Sequence, residues 1–389
     1  MNKSALGTIL VTLIFVTDLP AAANPVYVSN VEELYSAVND PSNAGATIKL
    51  AAGTYMLSPT DPFGSPRPKG GRLELQQDMS IVGVVGDRSS VVINAFNLPA
   101  TSYLGVGPSA ALRTGNGTNS VEWLTVRDAR FGQANIDTGL QAPGTAYIRI
   151  AHVAATGSAR GLNVLNFGPA ASGETIEIDI IDNDFYQNLI GLSEGMRIGN
   201  FQGATGATVN AWVEENRSWG NKQGLLVVNN RAINSTVNVQ SSGNRFVGNG
   251  AGTIIVGGLS SNNTTANGNT INFEGYGDRF VDNNGDADLD VGGLVVVGGE
   301  NISIPNGTND NTVNVSLWGC RMAENNVFDL LGIGARSAPS SLGSPGVNNQ
   351  VTIIVSGEGS NKGRWQPVEF FTETIPFAAS GTNTVTVIR

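Results

Sequence analysis

Four arginines occupy the same place in four copies of one phrase: Arg217, Arg245, Arg279 and Arg321 each stand nine residues after a threonine. A guanidinium offers a rigid fork of donors to carboxylates and phosphates, so a repeated arginine is a natural anion strip. Stacked guanidinium groups also repel unless acids interleave or an anion binds. Glu214, Glu215, Asp278 and Glu324 are close in sequence, and pairing with them is the plainer expectation. A second constellation is DNNGDADLD, where Asp282, Asn284, Asp286 and Asp288 resemble the oxygen-rich start of a calcium loop. Its sixth position is Ala287 and its twelfth is Gly293, where such a loop needs glycine and a bidentate acid. A solvated acidic loop is therefore the simpler reading; Ca2+ is the one cofactor the sequence suggests, and none is required. The single histidine, His152 in IRIAHVAAT, has the chemistry of a general base but no adjacent acid motif, which favours a structural role. Arg127, Asp128 and Arg130, in an irregular early stretch, are the remaining candidates for acid–base work.

The elements that position these residues follow from the repeat. The copies are TIEIDIIDNDFYQN from Thr175, TVNAWVEENRSWGN from Thr208, TVNVQSSGNRFVGN from Thr236, TINFEGYGDRFVDN from Thr270 and TVNVSLWGCRMAEN from Thr312. A fainter TIIVSGEGSNKGRW starts at Thr352. Apolar residues one and three places after each threonine define a strand of period two with those side chains inward. Asparagine or a small polar residue recurs eight places on, and Asn188, Asn221, Asn249, Asn283 and Asn325 recur thirteen places on. A second apolar strand follows, reading GLNVL, LIGL, GLLVV, TIIVG, GLVVVGG and LLGIG through the chain. Short strands without helical periodicity cannot bury a core singly, but stacked coils can. The asparagines are then expected to form ladders that satisfy buried turn groups. Asn238 and Asn272, two places after their threonines, belong to an outward grid able to meet sugar hydroxyls, although a plain solvent face explains it too.

This pattern resembles the pectin-lyase-like right-handed parallel β-helix family, and the likeness extends upstream. VSNVEELYSAVNDPSNAGATIKLAAGTYMLS at 28–58 resembles the family's entry, an amphipathic capping helix followed by a strand and a Gly-Thr-Tyr turn. The resemblance covers nearly all of 26–389 and implies an all-β solenoid. It leaves function open, because this fold carries lyases, hydrolases, epimerases and inert scaffolds. Carbohydrate-active members place acids, bases or calcium on the sheet that the second apolar strand would form. The copies quoted above carry almost no charge, and their continuous apolar runs imply burial on both faces. The family's Asp-His, Gly-His-Gly and Asp-Pro-His-Asp signatures are absent.

Composition sets the outer limits. Charged residues make up 14% of the 389, the net charge is −10, and one cysteine, Cys320, excludes an intrachain disulfide. The charge argues against nucleic acid as a partner. Residues 1–23 read as a secretory leader, with Lys3, an apolar run from Leu6 to Val16 and an Ala21-Ala22-Ala23 cleavage site. The expectation is a secreted or extracytoplasmic single domain over 24–389, with no membrane span after cleavage and a C-terminal strand open to self-association. The expected role is a non-catalytic scaffold contacting an extracellular glycan; the alternative is a lyase or hydrolase of an acidic polysaccharide.

Overall fold

The computed structural model describes residues 25–99, 110–129, 134–138, 144–190, 193–260, 264–284, 292–301, 308–325, 329–337, 346–356, 365–372 and 382–388. Each coil visits three parallel sheets in turn. The coil opening at Thr236 runs through Thr236–Ser242 in the first sheet, Arg245–Val247 in the second and Ala251–Ser260 in the third. The next coil repeats this with Thr270–Tyr276, Arg279–Val281 and Gly292–Asn301. Equivalent residues pair in register, Val237 with Ile271, Phe246 with Phe280 and Ile255 with Val296. Among the described residues the sheets hold twelve, nine and ten strands, so nearly every backbone donor finds its acceptor one coil away.

Alternation along the strands fills the interior. Val237, Val239, Ile271 and Phe273 are buried in one continuous core with Phe246 and Phe280, whose rings stack at 5.3 Å. The third sheet is apolar on its other face as well: Leu165, Leu226, Ile254, Val256, Val295 and Val297 form a second buried cluster. Double-sided burial is what uninterrupted apolar strands require.

Three tight turns per coil join the sheets, and in the middle coils they are built alike. A residue in the left-handed region comes first, then one whose side chain bonds along the axis. At the first turn the left-handed column is Trp123, His152, Asp182, Glu215, Gly243, Gly277 and Gly319. Asn183, Asn216 and Asn244 follow it. The Asn216 Oδ1 accepts from both the N–H and the Nδ2 of Asn183, at 3.0 and 2.9 Å, and Asn216 Nδ2 donates back to the Ile180 carbonyl. The second turn repeats the scheme through Asn188, Asn221, Asn249, Asn283 and Asn325. A third ladder, through Asn269, Asn311, Asn349 and Asn383, occupies the position just before the threonine. These asparagines are buried.

Two local readings of the sequence shift. The sixth copy starts at Gln350, which pairs with Thr312, and Thr352 lies beside Asn314. A slip of two residues preserves which side faces in, so the alternation alone does not reveal it. Gly53–Met56, expected as a turn, is a strand of the second sheet. Residues Val31–Asn39 form a helix, capped by Asn30 accepting from the Glu33 N–H at 3.0 Å, that buries Leu34, Ala37 and Val38 in the main core. Its Tyr35 hydroxyl donates to the Gly71 carbonyl at 2.5 Å, and burial pushes its pKa up to about 12.

Asp278 interrupts the first ladder. Its Oδ1 accepts from the Asn244 N–H at 2.8 Å as an asparagine would, but it is a buried acid. Burial raises its pKa to about 6, against the opposing pull of Ser241 and Asn244. A carboxyl whose folded pKa is raised stabilises the fold fully below its unfolded value near 4 and loses that contribution as pH rises through about 6. Asp278→Asn is expected to raise stability at pH 7.5 by about 3 kcal/mol and to flatten the pH dependence, read from urea melts across about pH 4–8. Asn249→Ala strands the Asn221 N–H, while Asn221 Nδ2 keeps the carbonyls of Phe185 and Trp219, and is expected to cost about 2 kcal/mol in the same measurement.

Candidate functional site

Charge returns to the third sheet in its early coils. Leu112, Ile136, Leu162 and Met196 lie in register and fill the core. One residue further along each strand, on the opposite face, stand Arg113, Asp137, Asn163 and Arg197, also in register. Arg113 Nη2 meets Asp137 Oδ2 at 3.0 Å, and Asn163 Nδ2 donates to Asp137 Oδ1 at 3.2 Å. Glu194, at the start of its strand, accepts from Arg160 Nε at 2.8 Å and from Arg197 Nη2. Arg72 adds a further positive charge beside Arg113. Glu74 heads the same column, in register with Arg113, and pairs with Lys69 at 3.2 Å, so among the described residues the group holds four arginines and Lys69 against three carboxylates. Burial, reinforced by Arg160 and opposed by Glu194, lowers the Arg197 pKa to about 10. Arg160, Glu194 and Asp137 are buried, while the Arg113 side chain keeps about a fifth of its surface in solvent.

Sequence reasoning missed this cluster for a definite reason. It took GLNVL and LIGL as the strands, whereas the structure has Arg160–Phe167 and Glu194–Phe201. The first reading began one residue after Arg160, and the second ended before Glu194. The in-register columns were the signal that would have found them. That column turns uncharged from Leu226 onward, through Ile254, Val295 and Leu331, but the sheet as a whole does not: Glu300 and Arg336, in register on its later strands, pair at 2.7 Å.

The other candidates fall at separate places. Arg217, Arg245, Arg279 and Arg321 form one exposed column of the second sheet. Arg217 pairs with Asp184 at 2.8 Å instead of with Glu214 or Glu215. Among the described residues, no ion pair joins Arg245, Arg279 or Arg321 to an acid. Asp278, a suggested partner, is buried inside its ladder. His152 sits in the left-handed turn column, stacked 3.9 Å from Trp123, with Nδ1 2.8 Å from Asp182 Oδ2. Burial raises the Asp182 pKa, but the His152 hydrogen bond and the Arg88 charge outweigh it and leave the carboxyl below its usual range. Arg88 also reaches Asp184 at 3.3 Å, which ties His152 to Arg217 through a chain of pairs. Arg127 lies 3.3 Å from Asp128, itself a left-handed turn residue, and Arg130 lies outside the described residues. Asp282 is another left-handed turn residue bonded by Asn284, and Asp286 and Asp288 lie outside the described residues. Among the described residues no three metal-binding side chains gather. Cys320 is buried, with its thiol pushed up to about 12 by burial and by Asp278.

Coils that advance one strand per sheet, in three parallel sheets, define a parallel β-helix. No family model matches the chain, and no curated protein matches it. Among solved structures it is similar to pectate lyase Pel9A, at 16% identity over 81% of this chain and 72% of that one, with a TM-score of 0.37. It is similar to the AlgE6 A-module, a mannuronan C-5 epimerase of Azotobacter vinelandii, at 12% identity over 95% and 96% of the chains, with a TM-score of 0.37. A double mutant of the periplasmic alginate epimerase AlgG gives 14% identity over 93% and 84%, again with a TM-score of 0.37. The assignment of the fold rests on the in-register ladders themselves.

Removing Glu194 would leave Arg160 and Arg197 side by side without their shared carboxylate. Glu194→Gln is expected to destabilise the chain by about 3 kcal/mol, measured by urea denaturation.

Proposed function

We propose that the protein is a lyase or hydrolase of an acidic polysaccharide, working on the outer face of the third sheet. The observation that carries this reading is the in-register outward column of Glu74, Arg113, Asp137, Asn163 and Arg197, with Arg160 and Glu194 beside it, in a column that turns apolar from Leu226 onward. Replacing buried ion pairs by packed apolar side chains is often neutral or stabilising, so stability alone gives little reason to keep them. A guanidinium is suited to the carboxylate of a uronate residue, which it can hold through two parallel hydrogen bonds. Asp137 and Glu194 stand among those arginines as the groups available to take or deliver a proton. The exposed column of Arg245, Arg279 and Arg321 would offer a polyanion a second line of contact. Adjacent coils lie about 4.8 Å apart, and unpaired guanidinium groups at that spacing repel by about 1 kcal/mol per pair in water, which a bound polyanion would relieve.

A second reading is supported by the ion pairs themselves. Asp137 and Glu194 are already engaged by Arg113, Arg160 and Arg197, an arrangement that also suits a non-catalytic glycan-contacting scaffold. In either role, residues 1–23 would export the chain, the helix Val31–Asn39 would close the first coil of a right-handed solenoid, and 24–389 would act as one domain. No helix among the described residues is long and apolar enough to cross a membrane.

The test is incubation with polygalacturonate, alginate, hyaluronate and neutral glucans, with and without Ca2+, scored for unsaturated products and new reducing ends. The lyase or hydrolase reading expects depolymerisation of at least one acidic member, and a loss of about a hundredfold in Arg113→Ala, the most exposed arginine of the cluster. No depolymerisation of any acidic polymer would leave the scaffold reading.

A further inference from the structure

The outer face of the first sheet carries a feature that the acidic-polysaccharide reading does not use. Asn314, Asn272, Asn238 and Asn210 stand in one outward column, each Nδ2 donating to the Oδ1 of the preceding coil at 3.0, 2.8 and 2.7 Å. The last, Asn210, donates to Glu177 Oε1 at 2.7 Å. Unlike the three buried ladders, this one satisfies no turn: it lies in mid-strand, where backbone groups are already paired within the sheet. Its amides are held in fixed orientation at the surface. Each has two N–H groups and two lone pairs and uses one of each along the column, so the remainder point to solvent.

This column forms one wall of a groove of about 550 Å³, and Trp212, Gln240 and Glu274 form the other. Trp212, Gln240 and Glu274 are themselves in register, two residues along from the asparagines. Trp212 marks one end of the groove. Beyond the other end, Tyr276 and Trp318 stack at 4.7 Å, with 42% and 36% of their surface exposed. Tyr276 is anchored by its hydroxyl donating to Glu274 at 3.0 Å. The combination is an apolar ring face, ordered amides and carboxylate acceptors along a straight groove. The lining contains Glu177 and Glu274 and no cation, so a polyanion is repelled where an uncharged polymer of hydroxyls is not.

We propose that this groove binds a neutral glycan chain laid along the solenoid axis, with a sugar ring on Trp212 and hydroxyls on Asn210, Asn238 and Asn272. The site lies on a different sheet from the arginine cluster and stands independently of any activity there. Repeating sugars along repeating coils allow the same contact to recur from coil to coil, which strengthens binding without new chemistry.

The test is isothermal titration of the full chain with neutral hexasaccharides of β-glucan, xylan and mannan, beside an oligogalacturonate as the charged control. Saturable binding of at least one neutral ligand is expected, with quenching of tryptophan fluorescence. Trp212→Ala and Asn238→Asp are each expected to weaken it about tenfold, while leaving oligogalacturonate binding unchanged. Asn238→Asp is nearly isosteric and partly exposed, so it decides the matter if Trp212→Ala fails to fold. Failure of every neutral ligand to bind, or unchanged affinity in Asn238→Asp, overturns the proposal. Loss of polyuronate cleavage in Arg113→Ala without change here would leave it intact.

Discussion

From Asn183 and Asn188 onward, most corners depend on one device: a left-handed turn residue followed by a side chain whose oxygen serves the coil before it. The turn reverses the chain too sharply to continue the sheet ladder, leaving an N–H inside the solenoid without a backbone acceptor. An asparagine in the next coil supplies that acceptor, and its own amide is fixed by two carbonyl oxygens. The cost of an unsatisfied buried donor, about 1–3 kcal/mol each, makes this a condition for stacking at all. Between such corners the strands of the first sheet alternate apolar and polar residues, while those of the third are apolar on both faces.

The same device explains residues that look functional in isolation. His152, Asp128 and Asp282 share left-handed columns with glycines in other coils, and their immediate neighbours in the stack are the reason they are ordered. A histidine at such a corner can stack on the tryptophan before it and bond the aspartate after it, as His152 does. Chemistry is freest away from the corners, where a side chain points outward from the middle of a strand. The outward asparagine groove occupies such a position; the arginine cluster, on a different sheet, gathers instead near strand ends, Arg113 and Asp137 closing their strands and Arg160 and Glu194 opening theirs.

Much of the fold was legible in the sequence because its determinants are local and repeated. Threonine, two apolar residues, an asparagine eight places on and another thirteen places on fixed the first two strands and two of the three ladders. The ladder through Asn269, Asn311 and Asn349 was missed because it precedes the threonine that defined the phrase. The arginine cluster was missed for a related reason. Arg113, Asp137 and Arg160 belong to coils whose repeat is faint, and Glu194 follows a clear copy but lies beyond the short apolar run that marks its strand, so only pairing across strands aligns them. Arg217 found Asp184, 33 residues earlier, because a neighbour in the stack is closer than a neighbour in the chain.

The ladders also have a direction. In each buried column the oxygen that completes a coil's two donors comes from the following coil, while the preceding coil contributes only a carbonyl. A newly made coil is therefore incomplete until its successor exists. As the chain emerges from the ribosome, each finished turn waits for the one behind it in synthesis, and the growing end always carries the unmet donors.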